Sequence, residues 1–518
     1  MPSLPIFIQM VLGIACVKFW NLRGGVIFCL ILLLTGILGH CLWGIKWKRI
    51  IYSWCFMGTV ALLTFWRMEK SLTCEWTQIW KLSYAIEIIK IDQKPSRGKV
   101  YGYGIIKNIS GKKYKFLEGH KIYFYFNGNG DYIPSQIVGV RSGIRLLKPH
   151  CSETFFSYLV QKNIYLYGYC GEVLEILEEA KPAQTFFATI NRHLRDRVAS
   201  YAQKHGNHPS DGILYGLLLS EKKELSKEQK DNFHNTGAAH LLAVSGLHIG
   251  MIGFALDFLL HCFFLGKNWR RMPILIILFL YVGAIGFPPS AVRAWLMITC
   301  HWSAGLFRRS TSGIDSLLNA AILSLIYEPL LLFDIGFQLS YGVVAMLLLL
   351  SLPLQDLLLC FFRHTGWGNI LRKENRATKK AYILRKGVEL FSVSVAATLA
   401  SAPLTFEYFN MFSFSGILLN PVVIQMALPT VVCGFLFLLT GLLNVEGWLS
   451  DCLFFGARWG VAWIDCVLLW AEKYIPWHMN FPVKPDGFGI LLFIIFLILA
   501  IITYFIHQKL QRMAQMMK

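Results

Sequence analysis

The stretch "AHLLAVSGLHIGMIGF", residues 239–254, sets two imidazoles and a hydroxyl inside an apolar run. Ser245 and His248 are three residues apart, close enough to touch on a helix, and a serine beside an imidazole is the start of nucleophilic hydrolysis. No Asp or Glu stands near enough in the chain to orient the ring, so a triad would lack its third member. His240, Val244 and His248 fall at i, i+4 and i+8, which predicts both imidazoles on roughly one side of a helix, two turns apart. That separation is too long for two ligands of one ion, and no carboxylate or cysteine sits at matching spacing, so neither a metal nor a cofactor is expected. Gly246 and Gly250 form a small-xxx-small pair. Close helix packing with the histidines bonded to backbone is one reading; a glycine-thinned helix facing a wet path is the other.

Three further stretches place polar groups where lipid would not favour them. In "YVGAIGFPPSAVRAWLMI" (281–298), Pro288 or Pro289 suits a helix start and Arg293 follows one turn in. A cation beside free amide donors near Ser290 makes an anion-binding point, while pairing of Arg293 with Asp315 or Asp334 explains it equally well. In "EPLLLFDIGFQLSYGVV" (328–344), Asp334 suits a helix cap and Gln338 extends polarity to membrane depth. In "SAPLTFEYFNMFSFSGILLNPVV" (401–423), Glu407 and Asn410 lie between apolar stretches, and Asn420–Pro421 predicts a helix interruption.

The elements that must position these groups follow from composition. Of 518 residues, 55% are hydrophobic and 15% charged, and mean hydropathy is +0.49. Such a chain exceeds what a soluble surface allows and reads as a polytopic α-helical membrane protein. Fifty Lys and Arg against thirty Asp and Glu leave a net charge of +20; part of that excess is ordinary positive-inside loop charge, and only the rest argues for an anionic partner. The 13 cysteines are mostly single and make no CxxC, so most read as small buried hydrophobes.

Apolar stretches at 6–22, 25–45 and 50–66 predict an amino-terminal membrane domain over residues 1–66, with the first segment uncleaved. The tetrad "KWKR" (46–49) predicts a cytoplasmic loop, so that segment 50–66 runs outward. Residues 67–183 change character, with short aromatic or β-branched strings between Gly, Asn and Asp turns, and predict a small β-barrel on the external side. Its strings combine Tyr101, Tyr103, Tyr114, Phe116, Tyr123 and Tyr125 with Lys107, Lys112, Lys113, Lys115 and Lys121. Aromatics with lysines suit a single-stranded nucleic acid groove, and alternating aromatics equally suit the core of any small barrel. Cys151 and Cys170, in a domain placed outside, are candidates for a disulfide.

Residues 184–236 predict an amphipathic interfacial helix and linker, with Arg192, Arg195 and Arg197 on the polar side of 184–203. Membrane composition returns over 237–507, in segments near 238–264, 272–287, 290–307, 314–329, 333–352, 388–404, 413–443 (two short pieces hinged at Pro429), 450–472 and 488–507. The basic linkers at 266–271, 307–309 and 353–387 and the tail 508–518 fall on the side of "KWKR".

Taken in order, these segments resemble the ComEC family of bacterial competence proteins. The resemblance is carried by "LYGLLLSEKKELSKEQKDNFHNTGAAHLLAVSGLHIGMI" (214–252), by "YVGAIGFPPSAVRAWLM", by "NAAILSLIYEPLLLFDIGFQLSYGVV" and by "ASAPLTFEYFNMFSFSGILLNPVV". It spans about 210 to 475, and residues 70–183 are similar more loosely, in pattern, to the family's external OB-fold domain. The resemblance implies a channel that conducts single-stranded DNA across the bacterial cytoplasmic membrane during transformation, with no chemistry of its own. His240, Ser245, His248, Arg293, Asp334, Gln338, Glu407 and Asn420 would line the path. Lys107, Lys113, Lys115, Tyr123 and Tyr125 would meet DNA on the barrel. No Walker-type loop occurs, so the implied partners are a cytoplasmic ATPase motor, an external DNA receptor and a separate nuclease. Family members often carry a carboxy-terminal domain resembling metallo-β-lactamases; the expectation here is a form lacking it, since no H-x-H-x-D-H cluster occurs. Two alternatives stay open, a transporter of a smaller anionic solute and a membrane-embedded serine hydrolase using Ser245 and His248.

Overall fold

A computed structural model describes residues 78–516, apart from short segments at 94–98, 110–111, 128–135, 147–158, 160–163, 165, 179–181, 222–223, 243, 263–265, 307–311, 329–330, 333, 365–378, 410, 414, 475–477 and 481–487. The expected helices at 6–22, 25–45 and 50–66, with the "KWKR" loop, lie outside the described residues. So does the Cys151–Cys170 pairing: Cys151 is outside them, and Cys170 is described in its backbone alone. The described chain divides into two units, and each is treated by itself.

The first unit contains a closed five-stranded barrel. Its strands are β1 (Gln78–Gln93), β2 (Lys99–Ile109), β3 (Lys121–Asn127), β4 (Ile137–Leu146) and β5 (Leu166–Glu178), in the order β1-β2-β3-β5-β4. All neighbours are antiparallel except β3 and β5, which run parallel. The period of two sorts the side chains. Leu82, Tyr84, Ile86, Ile88, Val100, Ile106, Ile122, Phe124, Val138, Val140, Ile144 and Leu166 fill the interior. The sequence left open whether the tyrosines of β2 and β3 fill the core, and the register decides it. Tyr101 and Tyr103 are out of phase with Val100 and Ile106, as Tyr123 and Tyr125 are with Ile122 and Phe124, so these four face outward. Inside, the Tyr84 hydroxyl bonds Ser142, and burial pushes that phenol above its ordinary range.

The second unit takes over within α1 (Pro182–Lys204) and is helical. The helix expected at 184–203 is thus present and slightly longer. It is followed by α2 (Asp211–Leu219), α3 (Lys227–Asn235), a 3-10 turn at Ala239–Leu242, α4 (Gly246–Cys262), α5 (Lys267–Ala284), α6 (Pro289–Leu306), α7 (Gly313–Tyr327), α8 (Ile335–His364), α9 (Lys379–Phe409), α10 (Ser415–Leu442), α11 (Trp448–Tyr474) and α12 (Phe488–Met516). Two short strands, β6 (Met411–Ser413) and β7 (His478–Asn480), pair antiparallel. Among the described residues, five helices are long and apolar enough to cross a membrane, within α8 to α12. The molecule is a polytopic helical membrane protein with a small barrel.

Packing groups α4, α5 and α6 together, and α8, α9 and α12 around Met346, Leu349, Ala400 and Ala500. α10 lies along α11 and also meets α2, α4 and α9. The outward face of α12 is apolar, with Ile494, Ile498, Leu499, Ile502 and Phe505 exposed, as a lipid-facing helix requires.

Two expectations about helix breaks need correction. The pieces predicted on either side of Pro429, and the interruption at Asn420–Pro421, are one continuous helix, α10. Pro421 has no N–H for the Ile417 carbonyl four residues back, yet Ser394 Oγ of α9 donates to that oxygen at 2.8 Å. A neighbouring hydroxyl thus replaces the missing bond, which is how membrane helices keep internal prolines. Ser394→Ala is expected to cost about 1–2 kcal/mol, as a shift of the thermal midpoint in detergent, because the carbonyl would lose its donor.

Candidate membrane-embedded site

The conspicuous segment 236–248 is a linker tied to four helices. Thr236 ends α3, its hydroxyl donating to Asn232 O at 2.6 Å. Its own carbonyl accepts from Ser415 Oγ of α10 at 3.3 Å. Gly237 follows at φ +74°, a left-handed turn that a β-carbon would strain. His240 is exposed, and its Nδ1 meets the Gly237 carbonyl at 3.2 Å. Val244 O accepts from Ser290 Oγ of α6 at 2.8 Å, and Gly246 has room for no more than van der Waals contact, 3.4 Å from a built β-carbon to Ala294.

The single helix expected through His240, Val244 and His248 is therefore corrected. His240 sits in the 3-10 turn, the chain breaks at Val244 and Ser245, and α4 begins at Gly246, so the i, i+8 relation does not hold. Ser245 and His248 instead form a reciprocal cap. The Ser245 N–H donates to His248 Nδ1 at 3.1 Å, and the His248 N–H donates to Ser245 Oγ at 3.4 Å. This is the capping box with imidazole in place of a Glu carboxylate. With Nδ1 accepting, the proton rides on Nε2 of this fully buried ring. Nδ1 is committed to a backbone amide, whereas a hydrolase dyad needs the ring nitrogen on the hydroxyl proton. Of the expected glycine pair, Gly246 packs against Ala294, whereas a β-carbon at Gly250 would meet nothing within 4 Å.

Ser290, in the first turn of α6, is fastened to Val244 just ahead of α4, and buried Arg293 follows one turn along α6. His240, Ser245, His248 and Arg293 therefore belong to one neighbourhood of linked turns. Asp315, one of the two partners considered for Arg293, is occupied by Ser312, whose hydroxyl is 2.8 Å away at the start of α7.

The remaining site residues gather elsewhere. Asp334 immediately precedes α8, where a cap was expected. Gln338 Oε1 accepts from Tyr408 Oη at 2.6 Å, joining α8 to α9. Glu407 Oε2 accepts from the Gly489 N–H at 2.9 Å, at the amino-terminal end of α12 where a carboxylate is electrostatically favoured. Asn420 lies one turn after Gly416 in α10.

On the barrel, Tyr101 packs against Tyr125 at 4.8 Å between ring centroids, and Tyr123 stacks on Tyr167 at 5.9 Å. Tyr123 is itself buried beneath Leu159 and Ile164, whereas Tyr101, Tyr103, Tyr125 and Tyr167 are half-buried. Lys107 is paired with Glu87 at 2.8 Å, which offsets its charge. Lys115 is exposed, and the side chain of Lys113 lies outside the described atoms. Among the described residues, no group of three or more His, Cys, Asp or Glu could hold a metal ion.

Sequence reading missed the polar residues of α11. Asp451, Arg458, Asp465 and Glu472 recur every seven residues inside an apolar run, and each engages a residue of the segment from Lys204 to Asn235. The seven-residue spacing was a signal available in the chain.

Fold and site together define a polytopic membrane protein whose helices are interlocked by buried hydroxyls and a capped, glycine-started helix. The family model described as Competence protein matches residues 217–507. That is more than half of the chain, which belongs to the competence protein family. Among curated proteins, it is similar to ComE operon protein 3 of Bacillus subtilis, 27% identical over 288 residues, covering 54% of this chain and 32% of that protein. It is similar to Recombination protein 2 of Haemophilus influenzae, 29% identical over 216 residues, covering 40% of this chain and 26% of that protein. A third relative, the protein YcaI of Escherichia coli, is 24% identical over 292 residues, 52% of this chain and 36% of its own. The chain thus matches only between about a quarter and just over a third of the length of these relatives. No solved structure matches it.

Proposed function

We propose that this protein conducts single-stranded DNA across the bacterial cytoplasmic membrane during natural transformation. The observation that carries the reading is the anchored segment 236–248: within the family-matched region it is fixed by Ser415, Ser290 and the Ser245–His248 cap, and the helix whose first turn holds Ser290 carries the buried Arg293 one turn on. A cation held one turn into a helix start suits passing phosphates. The barrel, OB-like in its strand order, would stand outside, its half-buried tyrosines stacking bases and Lys115 meeting phosphates. The tail would lie in the cytoplasm. A cytoplasmic ATPase would pull the strand, an external receptor deliver it and a separate nuclease remove its complement.

The protein supplies no chemistry in this reading. The Ser245–His248 cap supports that over hydrolysis, since both groups already bond backbone amides. Labelling by a serine-reactive phosphonate that Ser245→Ala abolishes would establish the hydrolase instead. The direct test is uptake of labelled DNA in a transformable host from which the gene is deleted; unchanged internalisation ends the proposal. Arg293→Ala is expected to leave the protein in the membrane and lower transformation at least about tenfold, the loss of one charge-assisted contact per passing phosphate. Disappearance of the variant from the membrane would assign Arg293 a folding role. If the isolated barrel shows no salt-dependent affinity for single-stranded DNA, transport of a smaller anionic solute becomes the better reading.

A further inference from the structure

α11 carries Asp451, Arg458, Asp465 and Glu472 at strict seven-residue spacing. Seven residues are close to two turns, so the four share one face, and the stripe rises roughly 31 Å, about the thickness of a hydrocarbon core. Another face of the same helix exposes Trp459 and Trp470, which suit lipid. Four polar residues along an apolar helix need partners, and all four find them on the chain between Lys204 and Asn235. Asp451 Oδ1 lies 2.9 Å from both Lys204 Nζ and His205 Nε2. Arg458 donates to Asp211 Oδ2 at 2.8 Å, to His205 O at 3.2 Å and to the Gly206 carbonyl. Asp465 Oδ2 accepts from Ser210 Oγ at 3.4 Å.

The last rung bears on the segment described above. Glu472 Oε1 accepts from Asn235 Nδ2 at 2.9 Å, and Oε2 faces Asn232, whose amide donates to it and to Glu228 O in the orientation that satisfies both of its ends. One carboxylate therefore clamps two positions of α3, and α3 runs directly into Thr236 through the Asn232 carbonyl. Thr236 is the point at which Ser415 of α10 takes hold.

We infer that the polar stripe of α11 is a positioning rail for α1 to α3, and that Glu472 is the positioning residue that sets segment 236–248 by clamping Asn232 and Asn235. Its transport consequence rests on the DNA-conduction reading; its geometric consequence does not. Glu472→Gln keeps the size of the side chain but turns one acceptor into a donor facing the Asn232 donor. Adding Asn232→Asp puts an acceptor opposite the new donor, although it gives up the bond to the Glu228 carbonyl, and the glutamine oxygen still accepts from Asn235.

The experiment uses the full chain in membranes. Glu472→Gln is expected to reduce DNA uptake about tenfold, the scale of a lost charge-assisted hydrogen bond, and the double variant to recover part of that loss, about threefold or more. A second readout needs no DNA: His240→Cys, at an exposed position of the segment, is labelled with a membrane-impermeant maleimide against the background of the chain without it. Glu472→Gln should change the labelling rate and Asn232→Asp should reverse the change. Unchanged labelling in Glu472→Gln, or no reversal in the double variant, overturns the inference. If Glu472→Gln fails to accumulate, recovery of its amount by Asn232→Asp supports the clamp and absence of recovery rejects it. A native chain that takes up no DNA would end the transport reading while the labelling still decides the clamp.

Discussion

Arg458→Ala is expected to destabilise the helical unit by about 3–5 kcal/mol, read as the midpoint of thermal unfolding in detergent, because it leaves Asp211 as an uncompensated buried charge. The side chains of the pair are 11% and 10% exposed, at 2.8 Å. The same guanidinium also satisfies the His205 and Gly206 carbonyls beyond the end of α1, and it lies 5.6 Å from the Phe454 ring centre. Arg458→Lys should recover only part of the loss, since one ammonium cannot reproduce the planar fork that reaches three acceptors. Asp211→Asn should cost less than Arg458→Ala, because Arg458, left without its counter-charge, still has the amide oxygen and the His205 and Gly206 carbonyls as acceptors. A midpoint unchanged in Arg458→Ala would mean that water reaches the pair and screens it.

Gly489→Ala is expected to cost about 3 kcal/mol and to loosen α12 from α9. A β-carbon there would collide with the Pro403 carbonyl oxygen and stand 2.7 Å from Glu407 Cβ. The first obstacle is backbone, which cannot swing aside as a side chain end does, so α12 must move, at the upper end of what overpacking usually costs. Movement would also break the Gly489 N–H to Glu407 bond of 2.9 Å. Protease sensitivity of the β7–α12 connection, compared with the native chain, reports the loosening; native resistance would show that the contact yields without cost. Glu407→Gln, which keeps an acceptor for the Gly489 amide, should be much milder.

The membrane class was legible because composition alone sets it, and the barrel because short alternating strings between turns admit few other folds. The position of helices in α8 to α12 followed from apolar length. Breaks were harder. Proline in "LLNPVV" reads as an interruption, and only the arrival of Ser394 from another helix shows how the Ile417 carbonyl is satisfied and the helix continued. The reverse error occurred at "AHLLAVSGLH", where apolar residues around the histidines mimic an unbroken helix. There Ser245 is a cap, and the three-residue spacing that brings serine and histidine into contact does so through mutual capping of backbone amides.

What the amino-acid sequence determined by itself was membrane residence, the barrel and the family, because hydropathy, strand periodicity and a long unusual block such as "HLLAVSGLH" are properties of the chain taken locally. What only the tertiary structure decided was the partner of each polar group. Glu472 with Asn235, Arg458 with Asp211, and Gln338 with Tyr408 are separated by 237, 247 and 70 residues. In an apolar surrounding such groups persist only when paired, and pairing at that distance is set by how helices pack and not by the residues that flank each one.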